Sequence, residues 1–179
     1  MSLFVLFLMV HGILGGLDVI INHELIVGLP RRPGRKAEQR MHSAREAIFA
    51  ALFLAIAWRE WHGAWIVLPA GLMLAEFLVS LRDVAIEGDT RILPVTESTL
   101  HVALFVNLGA VYAFGGQQLW AWAALPTALA PAQLGWPALV LSALACLAFG
   151  WSVRDALSAW RAPVNPVRGS TRVQDQTLS

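Results

Sequence analysis

The chain has 179 residues, is 57% hydrophobic and only 14% charged, and carries a formal net charge of +1 with a mean hydropathy of +0.60. A soluble domain carries about a quarter charged residues, so this composition argues against one, and the near-neutral charge gives no electrostatic footprint for nucleic acid. The single cysteine, Cys146, excludes an internal disulfide and a cysteine-based metal site.

The apolar residues come in runs rather than in alternation, which predicts an all-α integral membrane bundle of five transmembrane helices. The bundle is expected over residues 1–162 as one domain, with a polar, disordered cytoplasmic tail over 163–179. The opening "MSLFVLFLMV" has no basic n-region and no small-residue cleavage site, so it reads as a retained first helix rather than a signal peptide.

The first span is predicted from Leu3 to Leu29 and ends in "HGILGGLDVIINHE". On a 3.6-residue period His11, Asp18 and Asn22 share one face. His23 and Glu24 point away from that stripe, toward a solvated position near the loop. His11, nearer the outer half, reads as a hydrogen-bonded structural histidine. Gly12 and Gly16 form a G-x3-G that permits close helix approach.

The breaker "GLPRRPGR" leads into the second span, Lys36 to Glu60. It opens with Glu38, His42 and Glu46, three ionisable residues four apart and therefore one helical stripe. After "WHG", where His62 beside Trp61 reads as interfacial, the third span is predicted from His62 to Glu87. Its last turns place Glu76, Ser80, Asp83 and Glu87 on one face. The loop "EGDTRILP" reads as a cap and turn. The fourth span, Val95 to Leu125, begins with Glu97 and His101, a second Glu-x3-His. The fifth, Gly135 to Trp160, offers no matching residue and is expected to buttress the bundle or face lipid.

Twelve of the thirteen lysines and arginines fall on one side of such a five-span chain; Arg59 alone falls on the other. This predicts an integral protein of the plasma membrane, expected to be bacterial, with the N-terminus outside and the C-terminus cytoplasmic. Trp58, Trp61, Trp65, Trp120, Trp122 and Trp136 would line the outer interface, and Trp151 and Trp160 the inner one.

With this topology the four polar stripes meet in the cytoplasmic half of the membrane. Counted from the loops at about 1.5 Å per residue, Asp18, Glu46 and Glu76 lie roughly 15 Å in, and His42 and His101 roughly 10 Å in. Ionisable groups at that depth cost several kcal/mol each unless paired, protonated or bound to metal. Arg45, Arg82 and Arg91 supply part of the compensating charge. A pair of metal ions would supply the rest. Asp18, Glu38, His42, Glu46, Glu76, Glu97 and His101 are the expected metal ligands, with Glu38 and Asp83 placed at or just behind the metal and Arg45 orienting a carboxylate or a substrate head group.

Two histidines and four or more carboxylates drawn from four helices resemble the dinuclear iron or manganese sites of ferritin-like bundles, a ligand set that alternative-oxidase-type membrane proteins share. The resemblance lies in ligand count and layout; those families use Glu-x2-His where this chain has Glu-x3-His. It implies a membrane-embedded oxidoreductase, an O2-dependent hydroxylase or oxidase, holding two iron ions, with manganese or zinc as alternatives. The expected partners are a lipid, a quinone or another apolar substrate, and an electron-donor protein. The competing readings are an ion or metal transporter, a non-catalytic assembly subunit whose carboxylates pair with arginines, and, ranked lower, a metal-dependent lipid hydrolase.

Overall fold

A computed structural model of the chain describes residues 1–26, 28, 36–90 and 92–161. The expected disordered tail, Arg31, Arg32, Arg35 and Arg91 lie outside the described residues. These form five long helices: α1 (Leu3–Asp18), which runs on as a π-helix over Val19–Ile26, α2 (Lys36–Trp58), α3 (Val67–Thr90), α4 (Val95–Ala123) and α5 (Trp136–Arg161). Each is long and apolar enough to cross a membrane.

Local chemistry sets the boundaries. Ser2 caps α1, its Oγ accepting from the Val5 N–H at 3.3 Å. Pro69 and Pro137 occupy the first turns of α3 and α5, where a missing N–H costs nothing. Pro94 immediately precedes α4.

Two short strands, β1 (Arg59–His62) and β2 (Ala128–Pro131), pair antiparallel with Arg59 opposite Pro131 and His62 opposite Ala128. This ribbon ties the α2–α3 connection to the α4–α5 connection at the end of the bundle away from the polar stripes. The sequence reading had only turns here. Gly63, at φ +55°, follows β1 and lies so close to Thr127 that a Cβ would sit 2.7 Å from its Cα. The Ala64 N–H donates to Thr127 Oγ1 at 3.2 Å.

α2 is the hub, packed along α5 and α3, while α1 packs along α4 and touches α5. The core near the ribbon is apolar: Phe4, Leu8, Leu52, Phe53, Ile56, Val111, Leu119 and Leu141 are buried. Trp61 and Trp122 join this core instead of standing at the outer interface; Trp58, Trp65, Trp120 and Trp136 are exposed. The outward faces stay apolar, with Leu74, Phe77, Leu78, Leu81, Val102, Val106, Leu139 and Phe149 exposed. Gly12 does make a close approach, against Leu144 and Phe53, whereas nothing lies near a Cβ on Gly16.

α5 is more than a buttress. Ser43 and Ser152 exchange hydrogen bonds, each hydroxyl donating to the other's carbonyl at 2.9 and 2.8 Å. Buried Asp155 accepts from Arg154 at 2.8 Å, and Arg154 also holds Glu24. Glu24, expected at a solvated position, is partly exposed and in this ion pair.

Candidate metal centre

The polar residues of α1 to α4 gather at the end opposite the ribbon. Asp18, Glu38, Glu76, Asp83, Glu87 and Glu97 are all buried, as are His23 and His42, with His101 nearly so. Two groups of side chains have the spacing to hold a metal ion. His23, Glu87, Glu97 and His101 offer donor atoms that all lie within 4.8 Å of one another, and so do Glu38, His42 and Glu87. Glu87 belongs to both.

The separations within these groups bear on what they do. His23 Nε2 is 3.4 Å from Glu97 Oε1 and 3.6 Å from Asp18 Oδ2. His42 Nε2 is 3.5 Å from Glu87 Oε1 and 3.6 Å from Asp83 Oδ2. His101 spans the site, Nε2 3.3 Å from Asp18 and Nδ1 3.6 Å from Glu87. The His23 and His42 rings, one from each group, lie 4.3 Å apart. These contacts are long for hydrogen bonds, which centre near 2.9 Å, and among the described residues neither nitrogen of His23 nor His42 Nε2 has a hydrogen-bond partner. A ligand atom sits about 2.1 Å from a transition-metal ion, so two ligands of one ion lie roughly 3.0–4.2 Å apart. The spacing is compatible with donors around one ion and also with histidine–carboxylate ion pairs.

Around the ligand groups lies an ordinary hydrogen-bonded layer. Asn22 donates to Asp18 at 2.7 Å and accepts from Thr96 at 2.9 Å, fixing the Asp18 carboxylate. Arg45 donates to Asp83 Oδ2 at 3.0 Å and reaches Glu76 at 3.9 Å. Ser80 donates to Glu76 at 2.5 Å and the Tyr112 hydroxyl to its other oxygen. Glu76 is therefore satisfied by three neighbours and lies behind the ligand groups. Arg82 is exposed, and the cation that contacts these carboxylates, Arg45, is partly buried.

Of the residues expected as ligands, Glu38, His42, Glu97 and His101 fall within the two groups, and Asp18 touches two of the histidines. Glu76 stands apart, and so does Glu46. Neither oxygen of Glu46 has a hydrogen-bond partner among the described residues, and the side chain lines a cavity between α1, α2 and α5. His23 and Glu87 were missed. His23 was read as solvated because a straight α-helix rotates it about 140° from Asp18. The π-helix over Val19–Ile26 under-winds the chain and brings residues five apart onto one face. Glu87 was on the correct stripe, and its closeness to both histidine pairs needed the fold. His11 is buried against Phe49, rings 4.5 Å apart, but its Nδ1 has no hydrogen-bond partner among the described residues, contrary to the expectation of a bonded histidine.

The cavity has a volume of about 240 Å3. Phe49, Phe53, Leu104, Leu144, Leu147 and Ala148 give it apolar walls, and Asp18, His23, His42 and Arg45 also line it. Ile20 and Leu147 line it and are also exposed, so its mouth opens on the apolar outer surface. Compared with family models, curated proteins and solved structures, the chain has no match.

Proposed function

We propose that this chain is an integral membrane protein whose buried carboxylates and histidines hold two metal ions and serve an oxidoreductase acting on an apolar substrate. The observation that carries the reading is Glu87, common to a His23/Glu97/His101 group and a Glu38/His42 group. A carboxylate has two oxygens and is suited to bridge two cations.

Charge supports it. In this cluster six buried carboxylates face one partly buried guanidinium, Arg45, among the described residues. Carboxylates kept from water need compensation, and two divalent ions would remove four of the five excess negative charges. The ligand set, rich in oxygen donors with imidazole, suits iron or manganese. Such a pair of ions would supply one- and two-electron chemistry with O2 beside a cavity entered from the apolar exterior. Arg45 would hold Asp83 and Glu76 in place behind the ligands, and the cavity walls would exclude water. The apolar outward faces support insertion in a bilayer, and the excess of basic residues on one side supports a centre in the cytoplasmic half.

His23 favours one second reading, a metal-dependent lipid hydrolase, because it raises the imidazole count to three and a zinc site prefers nitrogen ligands. Elemental analysis by mass spectrometry on protein purified in mild detergent separates the two. The oxidoreductase reading expects near two equivalents of iron or manganese, lost in His42→Ala/His101→Ala. Zinc favours the hydrolase. No stoichiometric metal after growth in supplemented medium overturns both and leaves the carboxylates to ion transport or to their arginine.

A further inference from the structure

The cavity beside the ligand groups carries a second polar constellation that metal binding does not use. Glu46 lines it with both carboxylate oxygens buried and without hydrogen-bond partners among the described residues. Trp151 and His11 line it too, and Trp151 Nε1 and His11 Nδ1 are likewise buried without partners. Three unsatisfied polar atoms or groups from α1, α2 and α5 thus border one space. A buried polar group left unpaired costs about 1–3 kcal/mol, so three around one apolar cavity indicate an occupant that satisfies them.

We propose that the cavity binds a single-chain amphiphile with a hydroxyl head, its chain lying along Leu144 and Leu147 and its hydroxyl donating to Glu46. Resting on the proposed oxidoreductase, this names its substrate class and gives Glu46 a substrate-binding role instead of the metal-ligand role its stripe suggested. The chain enters where Ile20 and Leu147 are exposed. Gly15 and Gly16, with nothing within 4 Å of a Cβ at either, leave the wall of α1 open for it. The hydroxyl oxygen accepts from Trp151 Nε1 or His11 Nδ1 while its proton faces the carboxylate. A bare alkane would leave all three groups unpaired and bind less well.

The test uses two photolabels, 1-dodecanol with a mid-chain diazirine and the matching diazirine dodecane, on the full-length protein in mild detergent. Crosslinked residues are mapped by peptide mass spectrometry, and metal content is measured on the same samples. The alcohol should label the α5 stretch around Leu144–Trp151 with half-saturation about tenfold below the alkane, the effect expected of one net hydrogen bond in a buried site. Glu46→Leu should erase that advantage while keeping the wild-type metal content. Gly15→Leu, which fills the cavity from a position with room for a side chain, should abolish labelling by both probes with metal retained. Equal labelling by alcohol and alkane, or none in the cavity, would overturn the proposal. Loss of metal in Glu46→Leu would overturn it in favour of Glu46 as a ligand. Absence of metal from every sample, with the labelling pattern as expected, would instead sink the oxidoreductase and leave a lipid-binding cavity.

Discussion

His23 Nε2 stands 3.6 Å from Asp18 Oδ2, five residues earlier on the same helix. That contact exists because Val19–Ile26 is wound as a π-helix, which stacks residues i and i+5. The winding turns His23 inward to meet Glu97 of α4 and His101 beyond it. His23→Ala should therefore lower metal content from about two equivalents to about one, sparing the Glu38/His42 side. His62→Ala, at the ribbon end and paired with Glu60 at 2.9 Å, should leave metal content unchanged. Elemental analysis of the two variants side by side checks this, and equal loss in both would reject a ligand role for His23.

Glu87 has a different signature, because it serves both groups. Glu87→Ala should remove both equivalents, whereas Glu38→Ala should remove one. Losing a direct ligand weakens metal binding by more than the roughly 10–100-fold seen for residues that only orient ligands. Titration of metal into the stripped variants, followed by equilibrium dialysis, gives the two stoichiometries. Identical behaviour of the two variants would mean that Glu87 is not shared.

How far the sequence carried the fold and the site depends on which physics each part uses. Helix positions rest on hydropathy and on Pro and Gly breakers, so α2, α4 and α5 begin within a residue of where they were read. Glu38, His42, Glu97 and His101 were legible because four-residue spacing on a regular helix fixes a shared face. His23 was not, since the reading assumed 3.6 residues per turn where the chain is under-wound. Asp155 escaped notice because the apolar run of α5 was weighed by its middle, and Arg154 was counted only among the basic residues of one face, its partner Glu24 lying beyond α1. The ribbon joins segments about seventy residues apart, and "REWH" and "ALAP" carry no alternating pattern of their own.

Gly63 is the tightest joint in that ribbon. Its φ of +55° is unfavourable for any residue with a Cβ, and the added carbon would meet the Thr127 backbone at 2.7–2.8 Å. Gly63→Ala should cost about 1–3 kcal/mol. Gly71→Ala, inside α3 with open space around it, should be neutral or gain about 0.5–1 kcal/mol from reduced backbone freedom. Thermal unfolding in detergent at fixed protein concentration reads both. A Gly63→Ala protein as stable as wild type would mean that the ribbon does not hold the two connections together.

Metal removal tests whether ions, beside Arg45, supply positive charge to the cluster. If ions neutralise the carboxylates, a chelator should lower stability by the binding free energy they contribute, about 2.7 kcal/mol per site at a free concentration one hundred times Kd. Returning iron or manganese should restore it, and His42→Ala/His101→Ala should not respond to either treatment. Arg45 acts independently, through Asp83 at 3.0 Å and Glu76 at 3.9 Å. Arg45→Met leaves those acids without their cation and should cost about 3–5 kcal/mol, with part recovered in Arg45→Met/Asp83→Asn. The melting temperature of the chelated wild type decides between the two. A fall that metal reverses requires ions in the cluster, and no change on chelation would leave Arg45 as the charge that holds it together.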